Sequence, residues 1–296
     1  MKAKIVAVFL ILAIMSLSLI AIVQSQPVEN SKGGFNVGMS DLVSKKKPSK
    51  PPGGGGGKPS SGIATGTVVG VSGDRYAIII GINDYAGTSS DLHYCVNDAS
   101  EFKAALLANG WQESDITYLT DGDATYTNIM SAIATVSGAA DVEDEVIFFY
   151  SGHGSVSNYD VDDDGERKDE CIIPVELTSA TLIWDGDLKE AFAECESQRM
   201  LFYFDSCYSG GMTDLDGDGR LVLMACGENQ LSLESSSWEN GQFTYYFVQQ
   251  GMIEGLADTK IDDGKVTFEE AFDYAKTNCI RQTPVASDGF TNDMLP

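Results

Sequence analysis

Residues Asp144–Ser155 read DEVIFFYSGHGS. The run through Tyr150 is too continuously apolar, β-branched and aromatic for a surface loop, and it reads as a buried strand. His153, one of only two histidines in the chain, follows between two glycines where that strand stops. Working outward, strand-like and helix-like segments alternate. YAIIIGI (Tyr76–Ile82) is a strand and CVNDASEFKAALLANG (Cys95–Gly110) a helix, with Val96, Ala99, Phe102 and Leu106 at helical spacing and a glycine at the C-cap. ITYLT is a strand, YTNIMSAIATVSG a helix, DLKEAFAEC (Asp187–Cys195) a helix, RMLFYFDSC (Arg199–Cys207) and RLVLMACG (Arg220–Gly227) strands, with further helices over Phe243–Met252 and Phe268–Lys276. This order predicts an α/β fold with a mostly parallel central sheet and helices on both faces.

Active sites in such folds gather at the carboxyl ends of strands. Two strand ends qualify: VIFFYSGHG, ending at His153, and LFYFDSCYSGG (Leu201–Gly211), ending at Cys207. Side by side on one sheet edge, a Cys and a His make an activated nucleophile in which the imidazole helps ionise the thiol and later protonates the leaving amine. Nearby backbone N–H groups stabilise the oxyanion. The flanking glycines read as clearance for a peptide backbone lying close to the dyad.

The chain has 296 residues, 43% hydrophobic, with a formal net charge of −25. Residues 1–69 carry eight Lys and two Asp/Glu, leaving 11 Lys/Arg against 42 Asp/Glu beyond. So acidic a body argues against nucleic-acid binding and favours cationic substrates or divalent metals. Residues 1–25 read as a signal peptide or membrane anchor: MKAK supplies positive charge and Ile5–Val23 an apolar stretch of 19 residues, close to the roughly 20 needed to span a bilayer. The expectation is a secreted protein, or one anchored on the extracytoplasmic side. Residues 26–66 show no hydrophobic periodicity and contain KKKPSKPPGGGGGKPSSG (Lys45–Gly62), so they read as a Gly/Pro/Lys-rich linker before a domain over 67–296. Lys45–Lys47, Lys50, Lys58 and Arg75 are expected cleavage sites for a protease that prefers basic residues.

The pair YSGHG and FDSCYSGG resembles the His and Cys motifs of caspase-like cysteine peptidases, specifically the metacaspase-like branch. YAIIIGINDY, CVNDASEF, CIIPVE and LVLMACGENQLSLES support it, over nearly everything from Tyr76 onward. The resemblance implies an endopeptidase with His153 as general base and acid, Cys207 as nucleophile and the Gly154 amide as oxyanion donor. It also implies that Asp98, Asp205 and Ser151 line a primary specificity pocket for Arg or Lys, where a carboxylate pairs with guanidinium or ammonium. Caspases that cleave after Asp carry a QACRG-type motif, and this chain has DSCYSGG instead. A legumain- or gingipain-like specificity, and a catalytically inactive acidic calcium-binding module, are the alternatives.

Calcium is implied at Asp169, Asp185 and Asp214, with Gly186 where the family commonly has a further acidic residue. DLDGDG (Asp214–Gly219) and DVDDDG (Asp160–Gly165) begin like EF-hand loops, but Ala225 and Cys171 stand where the closing Glu would be. No organic cofactor is expected. Of six cysteines, Cys95 and Cys226 read as buried thiols, and Cys171, Cys195 and Cys279 are candidates for one disulfide. His93 with Cys95 lacks the ligands to close a zinc site, so it reads as a surface residue. The resemblance favours a monomer.

Overall fold

The computed structural model describes residues 29–32, 62–161, 167–260 and 262–296. Its strands and longer helices run β1 (Glu29–Ser31), β2 (Val68–Val69), β3 (Arg75–Gly81), α1 (Cys95–Ala108), β4 (Ile116–Thr120), α2 (Tyr126–Ser137), β5 (Glu145–Ser151), β6 (Gly154–Val156), β7 (Glu170–Ile172), β8 (Ile183–Trp184), α3 (Asp185–Ala191), β9 (Met200–Asp205), β10 (Arg220–Met224), β11 (Leu233–Ser235) and β12 (Asn240–Gly241). There follow α4, which opens at Gln242–Thr244 and widens into a π-helix over Tyr245–Ile253, then α5 (Phe268–Asn278), β13 (Val285–Asp288) and β14 (Asp293–Met294).

Six strands form the central sheet in the order β13-β10-β9-β5-β3-β4. All neighbours are parallel except β13, which pairs antiparallel with β10. β5 is buried at every residue, which a strand covered on both faces requires. Its alternate residues serve different layers. Phe148 and Tyr150 pack with Ile129 and Ile133 of α2 and Leu188 of α3, whereas Ile147 and Phe149 pack with Phe102 and Leu106 of α1 and Phe268 and Phe272 of α5. On that second face Phe102, Phe149, Tyr203 and Phe243 stack in series, with centroids 4.5, 4.8 and 4.8 Å apart. Such contacts contribute about 0.5–1.5 kcal/mol each beyond area burial. The stack locks β5 and β9, the strands that carry the two motifs, against α1 and α4.

Several expectations are corrected. The stretch read as linker contains β1, which pairs antiparallel with β11. Three polar residues, Glu-Asn-Ser, have no periodicity to reveal a strand; the edge they join defines it. At the far end of that stretch the Asp273 carboxylate accepts Ile63 N and Ala64 N, and Asp293 accepts Thr65 N and Gly66 N, so the chain is tied to the domain before residue 67. Arg75 is not a linker cleavage site, because it begins β3, lies over the Trp111 ring and faces Glu145 at 3.7 Å. All six cysteines are free, so the disulfide considered among Cys171, Cys195 and Cys279 is not formed. His93 is exposed, as expected. The apolar segment Ile5–Val23 and the lysines at 45–47, 50 and 58 lie outside the described residues; among the described residues no helix is long and apolar enough to cross a membrane.

Candidate active site

The parallel register sets Tyr150 opposite Phe204 and Ser151 opposite Asp205, so the His153 and Cys207 segments leave the sheet at the same edge. They touch immediately. A Cβ on Gly154 would lie 2.3 Å from the Cys207 carbonyl oxygen. One on Gly152 would lie 2.6 Å from the hydroxyls of both Tyr85 and Tyr150, one on Gly211 would overlap the Glu170 carboxylate, and one on Gly210 would sit 2.5 Å from Glu228 N. The glycines therefore clear the way for the protein's own neighbouring loops, which corrects their reading as clearance for a substrate backbone. Next to Cys207, Tyr208 takes the left-handed conformation (φ 62°), unusual for a bulky residue; its N–H donates to Gln230 O at 2.8 Å.

His153 is held on three sides. Its backbone N–H donates to the Tyr85 hydroxyl at 2.8 Å, its carbonyl accepts from the Tyr150 hydroxyl at 2.7 Å, and its ring lies 4.6 Å from the Tyr85 ring. Nε2 lies 2.7 Å from the Ser90 carbonyl oxygen. A carbonyl only accepts, so the shorter contact places a proton on Nε2, and a proton taken up at Nδ1 is in turn directed at the second carbonyl the ring faces. Nδ1 faces the carbonyl oxygen of Lys32 at 3.2 Å.

Cys207 Sγ accepts from Ser232 N at 3.2 Å. Burial, reinforced by neighbouring Cys226, pushes its thiol far above the ordinary range. Burial thus favours the neutral thiol, and any attack by Sγ would require a base to take its proton as the bond forms.

Asp98, Ser151 and Asp205, on α1 and at the ends of β5 and β9, converge on one ammonium. Lys32 Nζ lies 3.0 Å from Asp98 Oδ2, 2.8 Å from Ser151 Oγ and 3.1 Å from Asp205 Oδ1, and donates to Asp205 O at 3.2 Å. All four residues are fully buried. The carboxylates are themselves satisfied. Asp98 accepts from Ser151 Oγ at 2.6 Å and Gly241 N at 2.9 Å; Asp205 accepts from Ser232 Oγ at 2.6 Å and from Thr244 N and Oγ1 at 3.0 and 2.7 Å. Burial alone would lower the Lys32 ammonium's pKa, but Asp205 and then Asp98 outweigh it and raise it well above the usual lysine value. Burial pushes Asp98 up to about 6, with Lys32 opposing the rise and Asp205 adding to it. Gly241 leaves room for the ammonium, since a Cβ there would lie 2.6 Å from Lys32 Nζ. Helix α1 is aimed by Asn83, whose Oδ1 accepts from Cys95 N and Val96 N at 2.8 and 3.2 Å, and by Gly81, where a Cβ would lie 2.5 Å from Cys95 O.

Asp169, Asp185 and Asp214 occupy one acidic region. Burial pushes Asp185 up to about 8, with further contributions from Glu170, then Asp214 and Asp169. Glu170 thus supplies a fourth carboxylate where Gly186 supplies none. Asp169 accepts a hydrogen bond from Val161 N, and Asp214 pairs with Lys189 at 3.4 Å. Among the described residues they do not close into a metal-holding cluster; residues 162–166 of the DVDDDG region lie outside the described residues. The donor set, all carboxylate oxygen, suits calcium.

Sequence reasoning did not find Lys32, Tyr85, Ser90, Ser232, Gly241 or Thr244. Tyr85 lies in the quoted GINDY stretch, and Ser232 in LSLES; Ser90 acts through a carbonyl, Gly241 through a missing side chain and Lys32 from a segment read as linker, while Thr244 acts through the N–H and hydroxyl it donates to Asp205 from the start of a helix.

A parallel α/β sheet with a His and a Cys on adjacent carboxyl ends, beside a doubly acidic pocket, has the make-up of a caspase-fold cysteine peptidase. Residues 75–216 match the family model for the metacaspase, peptidase C14 domain. Metacaspase-4 of Arabidopsis thaliana is 37% identical over 196 residues, covering 63% of this chain and 45% of that protein. Metacaspase-1A of Neurospora crassa is 34% identical over 153 residues, covering 49% of this chain and 34% of that protein. The chain spans less than half the length of these relatives. A crystal structure of a Geobacter sulfurreducens protein matches in fold with a TM-score of 0.57 at 20% identity, over 75% of this chain and 95% of that one. Over residues 75–216 the chain carries a metacaspase-like domain of the caspase-fold cysteine peptidases.

Proposed function

We propose that this chain is an exported, calcium-responsive cysteine endopeptidase that cleaves peptide bonds after Lys or Arg. The observation that carries the specificity is the Lys32 ammonium held between Asp98 and Asp205, with the Lys32 carbonyl at His153 Nδ1. A substrate basic residue takes the same place. His153 Nδ1 accepts the Cys207 proton as Sγ attacks the carbonyl carbon, while Ser90 O keeps the imidazolium oriented through Nε2–H. His153 then protonates the departing amine, leaving a thioester that water hydrolyses. The Gly154 amide is the proposed oxyanion donor.

Asp169, Asp185 and Asp214, with Glu170, would hold calcium, which would neutralise their mutual repulsion next to β7. The β7 carboxylate Glu170 lies against Gly211 on the Cys207 loop, giving the ion a route to influence that loop. Export rests on the N-terminal apolar segment, and a monomer on the family resemblance.

The test is cleavage of fluorogenic peptides ending in Arg, Lys, Asp or Asn, with calcium or chelator, by the wild type and Cys207→Ala. Calcium-dependent cleavage after Arg or Lys that Cys207→Ala abolishes is the expected result. Cleavage only after Asp or Asn would replace the specificity, and silence on every peptide by protein that still binds calcium would favour a non-catalytic module.

A further inference from the structure

Between α5 and β13 the chain turns through residues 279–284, and glutamine side chains fasten this turn to the segments that build the site. Gln242 Oε1 accepts from Ile280 N at 2.7 Å, and Gln230 Oε1 accepts from Thr283 N at 3.1 Å and from Gly227 N at 3.0 Å. Between those two anchors Arg281 takes the left-handed conformation (φ 69°), uncommon outside glycine. The next residue, Gln282, lies on the turn itself with its side chain buried.

Every polar atom of the Gln282 amide is engaged. Oε1 accepts from Leu233 N at 2.9 Å, while Nε2 donates to Ala225 O at 3.0 Å and to Ser232 Oγ at 3.4 Å. An N–H on one side and a carbonyl on the other fix the amide's orientation, because the flipped amide would set donor against donor and acceptor against acceptor. Ser232 Oγ donates in turn to Asp205 Oδ1 at 2.6 Å. A hydroxyl has one proton and two lone pairs, so with its proton on Asp205 it receives Gln282 on a lone pair. The chain of bonds from amide to hydroxyl to carboxylate is cooperative. Gln282 also sets the neighbouring peptide plane. The N–H and C=O of a trans peptide point in opposite directions, so holding Leu233 N aims Ser232 O away from Gln282 and toward Lys32 N, which donates to it at 3.0 Å.

We propose that Gln282 is a positioning residue for specificity: through Ser232 it holds both the carbonyl that receives the main chain of a basic residue and the hydroxyl that fixes Asp205 beneath its side chain. The proposal rests on the basic-specific reading above and adds to that site a residue that touches no substrate atom. What Gln282 positions binds the basic residue before and during reaction alike, so its loss is read in KM rather than in kcat.

The test is steady-state cleavage, with calcium, of fluorogenic peptides ending in Arg and Lys. All variants are made in the full-length Lys32→Gln protein, whose pocket holds no ammonium of its own. Gln282→Met, similar in length but without hydrogen bonds, should lower kcat/KM by about tenfold, chiefly by raising KM. In a Ser232→Ala background the same change should cost about threefold or less, because residues joined in one hydrogen-bond network are not additive. If Gln282→Met does not fold, Gln282→Glu at pH 8 enters the same cycle, since it keeps an acceptor for Leu233 N and replaces the donor to Ser232. A tenfold loss in both backgrounds would show that Gln282 does not act through Ser232, and a loss confined to kcat would place it behind Cys207 instead of the pocket; either overturns the proposal. Cleavage after Arg and Lys that Gln282→Met leaves unchanged would overturn the proposal while the specificity stands. No cleavage after Arg or Lys by any variant, the Gln282-intact protein included, would overturn both.

Discussion

Ser151 and Asp205 stand directly opposite one another in the parallel register of β5 and β9, and a single buried ammonium touches both. The sheet thus builds the pocket floor, and α1 adds Asp98 from the side. Two carboxylates and one ammonium buried together form a unit in which removing one partner leaves the others uncompensated. Asp98→Asn and Asp205→Asn should each lower kcat/KM for Lys and Arg peptides by on the order of 100-fold. Kinetics on paired Arg and Lys substrates check this; a loss below tenfold in both variants would place the specificity elsewhere.

Asp98 also sets a pH dependence. Its acid form persists up to about 6, above the usual aspartate value. The Lys32 ammonium favours its ionised form, so cation binding and proton loss assist each other. With the ammonium in place the pocket loses one negative charge below about 6, and with the ammonium removed Asp98 holds its proton to higher pH. Affinity for a peptide ending in Lys should therefore weaken as pH falls through this range, and Asp98→Asn should lack that inflection. Binding to the Cys207→Ala, Lys32→Gln protein across pH 5–8 measures it free of the chemical step and of the tethered lysine.

Tyr85 touches no reacting atom but receives the His153 N–H at 2.8 Å inside the core. Tyr85→Phe leaves that buried donor without its acceptor, a cost of about 1–3 kcal/mol. As a positioning residue it should lower kcat by roughly 10- to 100-fold with KM nearly unchanged. A KM effect larger than the kcat effect would contradict the role.

How far the sequence reveals this site follows from the kind of signal each residue carries. His153, Cys207, Ser151 and Asp205 lie in motifs at the ends of apolar runs and Asp98 in the first turn of a helix with apolar periodicity, and the alternation of strands and helices fixes the edge on which they meet. Ser90 acts through its carbonyl, so any residue there would look alike. Gly241 acts by lacking a side chain. β1 is polar and three residues long, and what orders it is a pocket assembled from residues 66 to 173 positions away. Neither β1 nor the antiparallel edge strand β13 has the apolar periodicity that marks the central strands.

For the acidic region, Asp185 is pushed up to about 8 by burial and by its carboxylate neighbours. A carboxyl raised above its unfolded value holds its proton more tightly when folded, so stability falls as pH rises from the ordinary aspartate range toward 8. A bound divalent cation opposes that loss. Calcium should raise Tm at pH 7.5, and Asp185→Asn should raise Tm in chelator while shrinking the calcium increment. Calorimetry of both proteins with and without calcium decides; an undiminished increment in Asp185→Asn would remove this residue from the proposed set.

Gly154 provides the most local test of the dyad's geometry. A methyl group there would approach the Cys207 carbonyl oxygen to 2.3 Å and Ser206 Cβ and Oγ to 3.0 Å. The first contact is with backbone, so no side-chain rotation relieves it and the two catalytic loops must separate. Shifts of about 1 Å in a reacting pair cost on the order of 100-fold in rate. Gly154→Ala should therefore lose at least that much kcat/KM, while the stacked core on the far side of the sheet keeps the domain folded. Gly122→Ala, where nothing lies within 4 Å of the added methyl, is the matched control and should retain full activity. If Gly154→Ala were folded and fully active, the tight apposition of the His153 and Cys207 loops would not be what holds the dyad in register.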